Sequence, residues 1–266
     1  MKNRLTSTFR HQTLRAATLA YKNFRLSDSP RDGLRILMYH SIGTAIEGDK
    51  RGLYNMGAEQ FERHMKYLAS HYRQQLVPLS LEPVKNPALR IVLTFDDGYQ
   101  DNLTVAAPLL VDLGIPFTVF VCTDAVAQRK SGFLEPDDVR ELASLPGVQI
   151  GSHSASHARL TRCDDLQLNQ ELAGSKSYLE DLIGRPVCTL SYPHGDVDRR
   201  VRDVAEKVGY VIGCTSRFDI NAESRDPLLL CRTDIWAEDT VSVFEEKLQG
   251  DWDWNRWRIA DPACLF

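Results

Sequence analysis

The chain has 266 residues and a mass of 30.1 kDa, which is enough for one large domain with a sizeable apolar core. Its 43% hydrophobic and 26% charged residues exclude a disordered, collagen-like or coiled-coil chain, and it lacks the run of about 18 apolar residues that a transmembrane helix needs. The net charge of −4 combines +6 in residues 1–31, which hold seven Lys or Arg and one Asp, with −10 in the rest.

Residues 1–33 are predicted to be a basic N-terminal extension. Charged residues interrupt every apolar run in it, so it lacks the apolar centre of a secretory signal. Its apolar residues alternate with positive charges, as in an amphipathic helix that lies on anionic lipid. The alternatives are a helix packed on the body of the protein and a frayed terminus. The six cysteines form no C-x-x-C pair. The scattered cysteines and the lack of a secretory signal together predict a cytoplasmic protein. If residues 1–31 form an amphipathic helix, this protein would contact the inner membrane face through them.

Strand-like and helix-like patterns alternate after residue 33. The predicted strands are 34–39, 90–95, 116–121, 148–150, 187–192, 210–214 and 228–235. The predicted helices are 58–72, 102–113, 136–145, 164–183, 198–208 and 240–248. About seven β-α repeats without a dividing linker predict an α/β fold, a single-domain barrel of (β/α) units over 34–250, followed by a Trp-rich tail over 251–266.

Polar side chains follow the predicted strands where these strands end. They are His40, Asp96, Asp97, His153, His157, His194 and Arg232. In barrels of this kind the chemistry lies at the carboxyl ends of the strands, so these residues are the candidate site.

Two short patterns indicate a metal centre. Asp96 and Asp97 point to opposite sides of the chain, so one can bind a metal while the other accepts a proton; the alternative is that the pair caps the next helix. His153 and His157 are four residues apart and can face one ion if the segment turns like a helix. Two imidazoles and a carboxylate are the ligands of a catalytic zinc, although Co²⁺, Ni²⁺, Fe²⁺ or Mn²⁺ would also fit.

Three motifs resemble those of the polysaccharide deacetylases, the family with a NodB-homology domain that is also called carbohydrate esterase family four. They are T-F-D-D-G at 94–98, H-S-A-S-H at 153–157 and S-Y-P-H-G at 191–195. L-M-Y-H-S-I at 37–42 and the strand with Arg232 resemble the poly-N-acetylglucosamine deacetylase branch. The resemblance covers residues 34–236 and implies a distorted (β/α)7-type barrel and a metal-dependent N-deacetylase.

The resemblance also implies roles for the site residues. Asp97, His153 and His157 would bind the metal, and Asp96 would be the general base. The backbone N–H of His194 would help to hold the oxyanion.

Two departures from the family pattern concern the rest of the catalytic set. Ser191 stands where the family has an arginine that pairs with the base, so Arg232 would have to reach Asp96 from another strand. No histidine follows His194, although the family takes its general acid from a late motif. His194 and His40 are therefore the candidates for the acid.

The implied reaction releases acetate from an N-acetylated amino-sugar glycan, such as a lipid-linked or extracellular-polysaccharide precursor, with no nucleic acid partner. The alternatives are a hydrolase of a small amide, such as a formamide or ureide, and an inactive glycan-binding homologue. The tail D-W-D-W-N-R-W at 251–257 allows stacking on sugars, but positions 252 and 254 also fit strand-like alternation that seals the barrel. Trp236 is a better candidate for the wall of the site.

Overall fold

The computed structural model describes residues 14, 17–21, 32–45, 49, 51–81 and 89–264. Its strands are β1 Gly33–Tyr39, β2 Ser41–Ile42, β3 Asn55–Met56, β4 Leu89–Phe95, β5 Phe117–Val121, β6 Val148–Ser152, β7 Thr189–Ser191, β8 Ile212–Cys214 and β9 Thr233–Asp234. Seven of these strands form one sheet in the order β8-β7-β6-β5-β4-β1-β9, and β2 pairs with β3. Every pairing between these strands is parallel.

The chain curls this sheet into a ring and closes it after β8. An isolated parallel bridge joins Cys214 of β8 to Leu230. The Leu230 N–H donates to the Gly213 carbonyl, and the Thr215 N–H donates to the Leu230 carbonyl, both at 2.8 Å. A few residues later, β9 pairs with β1. Residues 230–234 therefore connect the two edges of the sheet, and the predicted distorted (β/α)7 barrel is confirmed.

The longest pairing in the sheet joins β1 and β4, which are in register over seven residues. Ile36 and Leu93 in these strands are fully buried. Parallel strands covered on both faces are nearly continuous apolar runs, which is why both were predictable. The two strands end side by side, and the Asp96 N–H donates to the Tyr39 carbonyl at 2.9 Å. They therefore deliver His40 and Asp96 to the same edge.

The helices lie outside the sheet. They are α1 Ala58–His71, α2 Ala107–Asp112, α3 Thr123–Ala127, α4 Pro136–Ser144, α5 Asp165–Asn169, α6 Ser175–Ile183, α7 Arg199–Val208 and α8 Val241–Gln249. A π-helical turn, Asn102–Ala106, leads into α2, and a second one, Gln170–Gly174, joins α5 to α6. In α1 the apolar residues Phe61, Met65 and Leu68 share one face, and all three are buried.

Two sequence predictions of secondary structure are wrong. The predicted strand 228–235 is a 3₁₀ turn, Pro227–Leu229, followed by the two-residue β9. Pro227 starts this turn, and the Asp226 carboxylate accepts from the Leu228 N–H at 2.9 Å, so the segment leaves the extended conformation. The strand-like alternation at 252 and 254 is a 3₁₀ helix, Asp253–Arg258.

The Trp-rich tail packs into the body of the protein. Trp252 is fully buried, and its ring lies 5.8 Å from that of Trp236. The described part of the N-terminal extension packs on the same region, because the Trp254 indole donates to the Thr18 hydroxyl at 3.0 Å. The rest of the predicted membrane-contacting segment 1–31 lies outside the described residues. Within the described ranges, no helix is both long and apolar enough to cross a bilayer.

Candidate active site

The turn after β4 separates the two neighbouring carboxylates. Asp97 has a φ of 74°, and Gly98 follows with a φ of 79°. A left-handed conformation is costly for a residue with a side chain and persists where the surrounding structure enforces it, often at functional sites. The turn sends the side chains of Asp96 and Asp97 to different partners.

Asp97, His153 and His157 form a cluster of metal-ligand type. Asp97 Oδ1 lies 3.3 Å from His153 Nε2 and 3.4 Å from His157 Nε2. One potential ligand atom from each residue lies within 4.8 Å of the others. Ligands on a tetrahedral zinc with bonds of about 2 Å are about 3.3 Å apart, so the separations fit such an ion.

Hydrogen bonding orients the His153 ring. Its Nδ1 lies 2.8 Å from the Ser191 carbonyl oxygen, which can only accept, so Nδ1 carries the proton. In the neutral ring, Nε2 then carries the lone pair, on the side of Asp97. A ligating histidine usually donates its other ring N–H in this way. This contact is what a metal-binding His153 requires.

Charges at the cluster shift the pKa values of both imidazoles and of Asp97. Burial lowers the pKa of His153, but Asp96 and Asp97 outweigh it and the net shift is upward. Burial and the neighbouring His153 lower the pKa of His157 to about 4. The pKa of Asp97 falls well below its usual range, because the His153 hydrogen bond and nearby imidazoles outweigh burial. Asp97 and His157 are therefore in ligand-competent protonation states at neutral pH.

Arg232 holds Asp96 in a bidentate ion pair. Its Nη1 and Nη2 donate to Asp96 Oδ1 and Oδ2 at 2.7 and 2.6 Å, and both side chains are buried. Nη2 also donates to Ser191 Oγ at 2.8 Å, and that hydroxyl lies 3.1 Å from Asp96 Oδ2. Burial raises the pKa of Asp96, but Arg232 outweighs it and lowers the pKa to about 2. The structure thus brings Arg232 to the position that the sequence analysis required of it.

His40 lies at the end of β1 beside the carboxylates. Its Nδ1 is buried and has no hydrogen-bond partner within the described part of the chain. His40 lies close enough to Asp96 and Asp97 to contribute to the lowering of both their pKa values. It also opposes the burial that raises the pKa of Asp234. The ring packs against Tyr54, with centroids 4.6 Å apart.

His194 lies in a tight turn on the other side of the cluster. Its φ is 59°, and its exposed ring lies 4.4 Å from that of His157. The turn uses the N–H groups of Gly195 and Asp196, which donate to the Tyr192 and Pro193 carbonyls, and the His194 N–H is outside these bonds. Gly195 is required, because a Cβ there would lie 2.7 Å from the Ser216 nitrogen.

An open groove of about 810 Å³ runs beside the cluster. Asp97 and His157 are among the residues that line it, as are the stacked rings of Tyr99 and Phe133, whose centroids are 4.8 Å apart. Sequence reasoning missed both rings; Tyr99 directly follows the D-D-G turn, but no sequence signal marks Phe133. Trp236, the predicted wall, packs against the tail instead and is outside the residues that line this groove.

The chain matches a family model and a curated relative. The model, described as Polysaccharide deacetylase, matches residues 84–213. YxkH of Bacillus subtilis, named as a polysaccharide deacetylase, is 34% identical over 200 residues, which are 73% of this chain and 67% of YxkH. The chain belongs to the polysaccharide deacetylase family. The family predicted from the three motifs is therefore confirmed.

Two further relatives define how far the similarity extends. The peptidoglycan-N-acetylglucosamine deacetylase PgdA of Listeria monocytogenes is 29% identical over 153 residues, which are 54% of this chain and 30% of PgdA. The crystal structure of the Bacillus anthracis protein BA0330, described as a polysaccharide deacetylase, superimposes with a TM-score of 0.70 at 26% identity. The superposition covers 81% of this chain and 69% of BA0330. The polysaccharide deacetylase fold therefore spans most of the chain.

Proposed function

We propose that this polysaccharide deacetylase is a metal-dependent hydrolase that removes N-acetyl groups from an amino-sugar glycan and releases acetate. The observation that carries the proposal is the cluster of Asp97, His153 and His157 beside the ion-paired Asp96, at the edge of an open groove. The family supplies the substrate class, since the name of PgdA specifies an N-acetylglucosamine glycan.

Asp97, His153 and His157 would hold one divalent cation. The bound ion would polarise the acetyl carbonyl and lower the pKa of a water molecule towards about 7. Two imidazole nitrogens and one carboxylate oxygen favour Zn²⁺, while Co²⁺, Ni²⁺, Fe²⁺ and Mn²⁺ are the alternatives.

Asp96 would accept the proton of the attacking water. The ion pair with Arg232 keeps Asp96 ionised at neutral pH and fixes its two oxygens in place. A base with so low a pKa accepts a proton readily only from an acidified water molecule, so the base role of Asp96 depends on the lowered pKa of that water. The His194 N–H would donate to the oxyanion, where one such donor is worth about 3–4 kcal/mol.

His40 is the better of the two candidates for the general acid. It lies close enough to Asp96, Asp97 and Asp234 to affect their pKa values, and its buried Nδ1 has no partner in the described chain. The His194 ring is exposed and lies on the His157 side. His40→Gln should therefore lower kcat for acetate release more than His194→Gln does, because the latter keeps its backbone N–H.

Acetate release from defined substrates tests the proposal. The panel is N-acetylated chito-oligosaccharides, β-1,6-linked N-acetylglucosamine oligomers and peptidoglycan strands, with formamide and ureide compounds as controls. We expect release from at least one glycan, its loss with a chelator and its return with added Zn²⁺ or Co²⁺. Turnover of the small amides alone would favour the second hydrolase class, and no turnover by the metal-loaded protein would favour a glycan-binding homologue.

We also propose that the N-terminal region contacts anionic lipid at the cytoplasmic membrane face. Residues 1–31 carry a net charge of +6. Two apolar side chains of this region are exposed: Leu19, within the segment, is 61% exposed, and Trp257, whose ring contacts that of Tyr21, is 70% exposed. Co-sedimentation with phosphatidylglycerol vesicles should exceed that with phosphatidylcholine vesicles and should fall when residues 1–30 are deleted. Equal sedimentation of both chains would contradict the contact.

A further inference from the structure

The loop that carries His157 needs support, because its backbone is in a costly conformation. Ser154 and His157 have φ values of 62° and 63°, both in the left-handed region. His153 is 2% exposed and is anchored by the Ser191 carbonyl, whereas the His157 side chain is 35% exposed. His157 is therefore the member of the cluster whose position depends most on its loop.

Glu171 holds this loop from another element. Its Oε2 accepts from the Ala155 N–H at 3.0 Å and from the Ser156 N–H at 2.9 Å. Its Oε1 accepts from the Ser156 hydroxyl. Hydrogen bonds to a carboxylate are about twice as strong as those between neutral groups. One side chain thus fixes both residues that separate Ser154 from His157.

The element that carries Glu171 is fitted to the loop at a second point. Glu171 lies in the π-helical turn Gln170–Gly174, a type of turn that often occurs at functional sites. Just after the turn, Ser175 Oγ lies 2.8 Å from Ser152 Oγ, which accepts from the Ser154 N–H at 3.1 Å. The helical segment therefore determines the path of the loop on both sides of its first left-handed residue.

We propose that Glu171 is a positioning residue for the metal centre: it holds residues 155 and 156 so that His157 reaches the ion that Asp97 and His153 bind. The proposal rests on the proposed metal site. It assigns Glu171 no contact with the ion or the substrate. Removing a group that orients a metal ligand typically weakens metal binding by about 10–100-fold.

A measurement of metal binding that does not depend on enzymatic activity tests this role. Co²⁺ is titrated into the metal-free protein, and its visible absorption and dissociation constant are measured for wild type, Glu171→Ala and Glu171→Gln. We expect a loss of affinity of about 10-fold or more and an altered absorption band in Glu171→Ala. Glu171→Gln should be intermediate, because its amide oxygen can still accept from the two N–H groups. Asp181→Ala, which removes an exposed acid from the same helical segment, is the matched control and should bind as wild type does.

Two further readings separate positioning from general destabilisation. The thermal midpoint of the metal-free protein should change little in Glu171→Gln, whereas its rise on adding Co²⁺ should shrink. If Glu171→Ala does not fold, Ser156→Ala removes one of the three bonds and should weaken Co²⁺ binding by a few-fold. Wild-type affinity and absorption in all folded variants would overturn the role of Glu171, while a wild-type protein that binds no Co²⁺ at this cluster would instead overturn the metal site of the proposed function.

Discussion

Asp96 is a buried, ion-paired carboxylate and is also the proposed general base. It is 3% exposed and shares two short hydrogen bonds with Arg232. Asp96→Asn should lower kcat by about 10²–10⁴-fold, the usual contribution of a general base, while the metal content stays near that of wild type. Acetate release and metal analysis on the same sample measure both quantities.

His153→Ala is the contrasting variant at the residue scale. It removes a proposed ligand, so both metal and activity should be lost. An Asp96→Asn protein that turns over at the wild-type rate would contradict the assignment of the base. Thermal unfolding of both variants checks that they fold, because an uncharged Asn leaves the buried Arg232 without its counter-ion.

The sequence position from which an arginine pairs with Asp96 gives a second prediction at this scale. Ser191 occupies the family's arginine position, and its hydroxyl contacts both Asp96 and Arg232. Arg232→Ser should lower kcat about 100-fold or more and destabilise the protein by about 3–5 kcal/mol, because Asp96 becomes a buried unpaired charge. The double variant Ser191→Arg/Arg232→Ser, which restores the family pattern, should recover part of both losses in activity assays and urea unfolding. A double variant that is no better than the single one would show that the two positions are not interchangeable.

The sequence was sufficient to predict the site residues that lie in short motifs, but not the contacts between residues far apart in the chain. The cluster of Asp97, His153 and His157 could be predicted, because each motif is short and lies at the end of a readable strand. Arg232 could be named only conditionally, since its pairing with Asp96 spans 136 positions. The groove ring of Phe133 and the loop anchor Glu171 carry no local signal, because only the tertiary fold brings them to the site.

At the scale of elements, periodicity was sufficient for the strands and helices that form the barrel. Periodicity failed where an apolar pattern continues but the backbone leaves the extended conformation. In the predicted strand 228–235, Pro227 and the Asp226 cap start a 3₁₀ turn instead. The sequence pattern also could not predict the π-helical turns within the predicted helices 102–113 and 164–183. One inserted residue leaves the spacing of buried positions almost unchanged over so short a span.

Helix α1 makes the folded protein sensitive to acid through His64. Its ring stacks on Phe244 at 4.2 Å, and burial lowers its pKa from 6.5 to about 4. The unfolded chain therefore binds a proton that the folded chain does not, so the stabilising effect of neutral His64 is complete above the unfolded pKa and is lost as the pH falls from about 6.5 towards 4. Between pH 7.5 and 5.0 this should cost about 2 kcal/mol of unfolding free energy.

Urea unfolding at these two pH values measures the effect of His64. His64→Gln should reduce the difference between the two pH values by about 2 kcal/mol, even if the variant is less stable at both. His71→Gln, an exposed change in the same helix, is the control and should keep the wild-type difference. An unchanged difference in His64→Gln would assign the acid sensitivity to other groups.

At the scale of the whole molecule, buried contacts join the barrel to its C-terminal tail. Arg35 of β1 and Asp253 of the tail are fully buried, and their two hydrogen bonds are 2.9 and 3.1 Å long. Lys247 is also buried, and its Nζ lies 5.2 Å from the centroid of the ring of Trp252 in the tail. Because these charges have no access to water, the tail cannot detach without exposing the end of the barrel or leaving a charge unpaired.

Removing one member of the buried pair should therefore destabilise the entire protein. Asp253→Ala leaves Arg35 buried without its counter-ion and should cost about 3–5 kcal/mol in urea unfolding, whereas the double variant Arg35→Met/Asp253→Leu should cost less, because it buries no unpaired charge. Asp137→Ala removes the partner of Arg140 in an exposed ion pair and should change the unfolding free energy by less than about 1 kcal/mol.

A single unfolding transition, seen alike by tryptophan fluorescence and by far-ultraviolet circular dichroism, should persist in all variants. If fluorescence changed before the circular dichroism signal, the tail would unfold independently of the barrel.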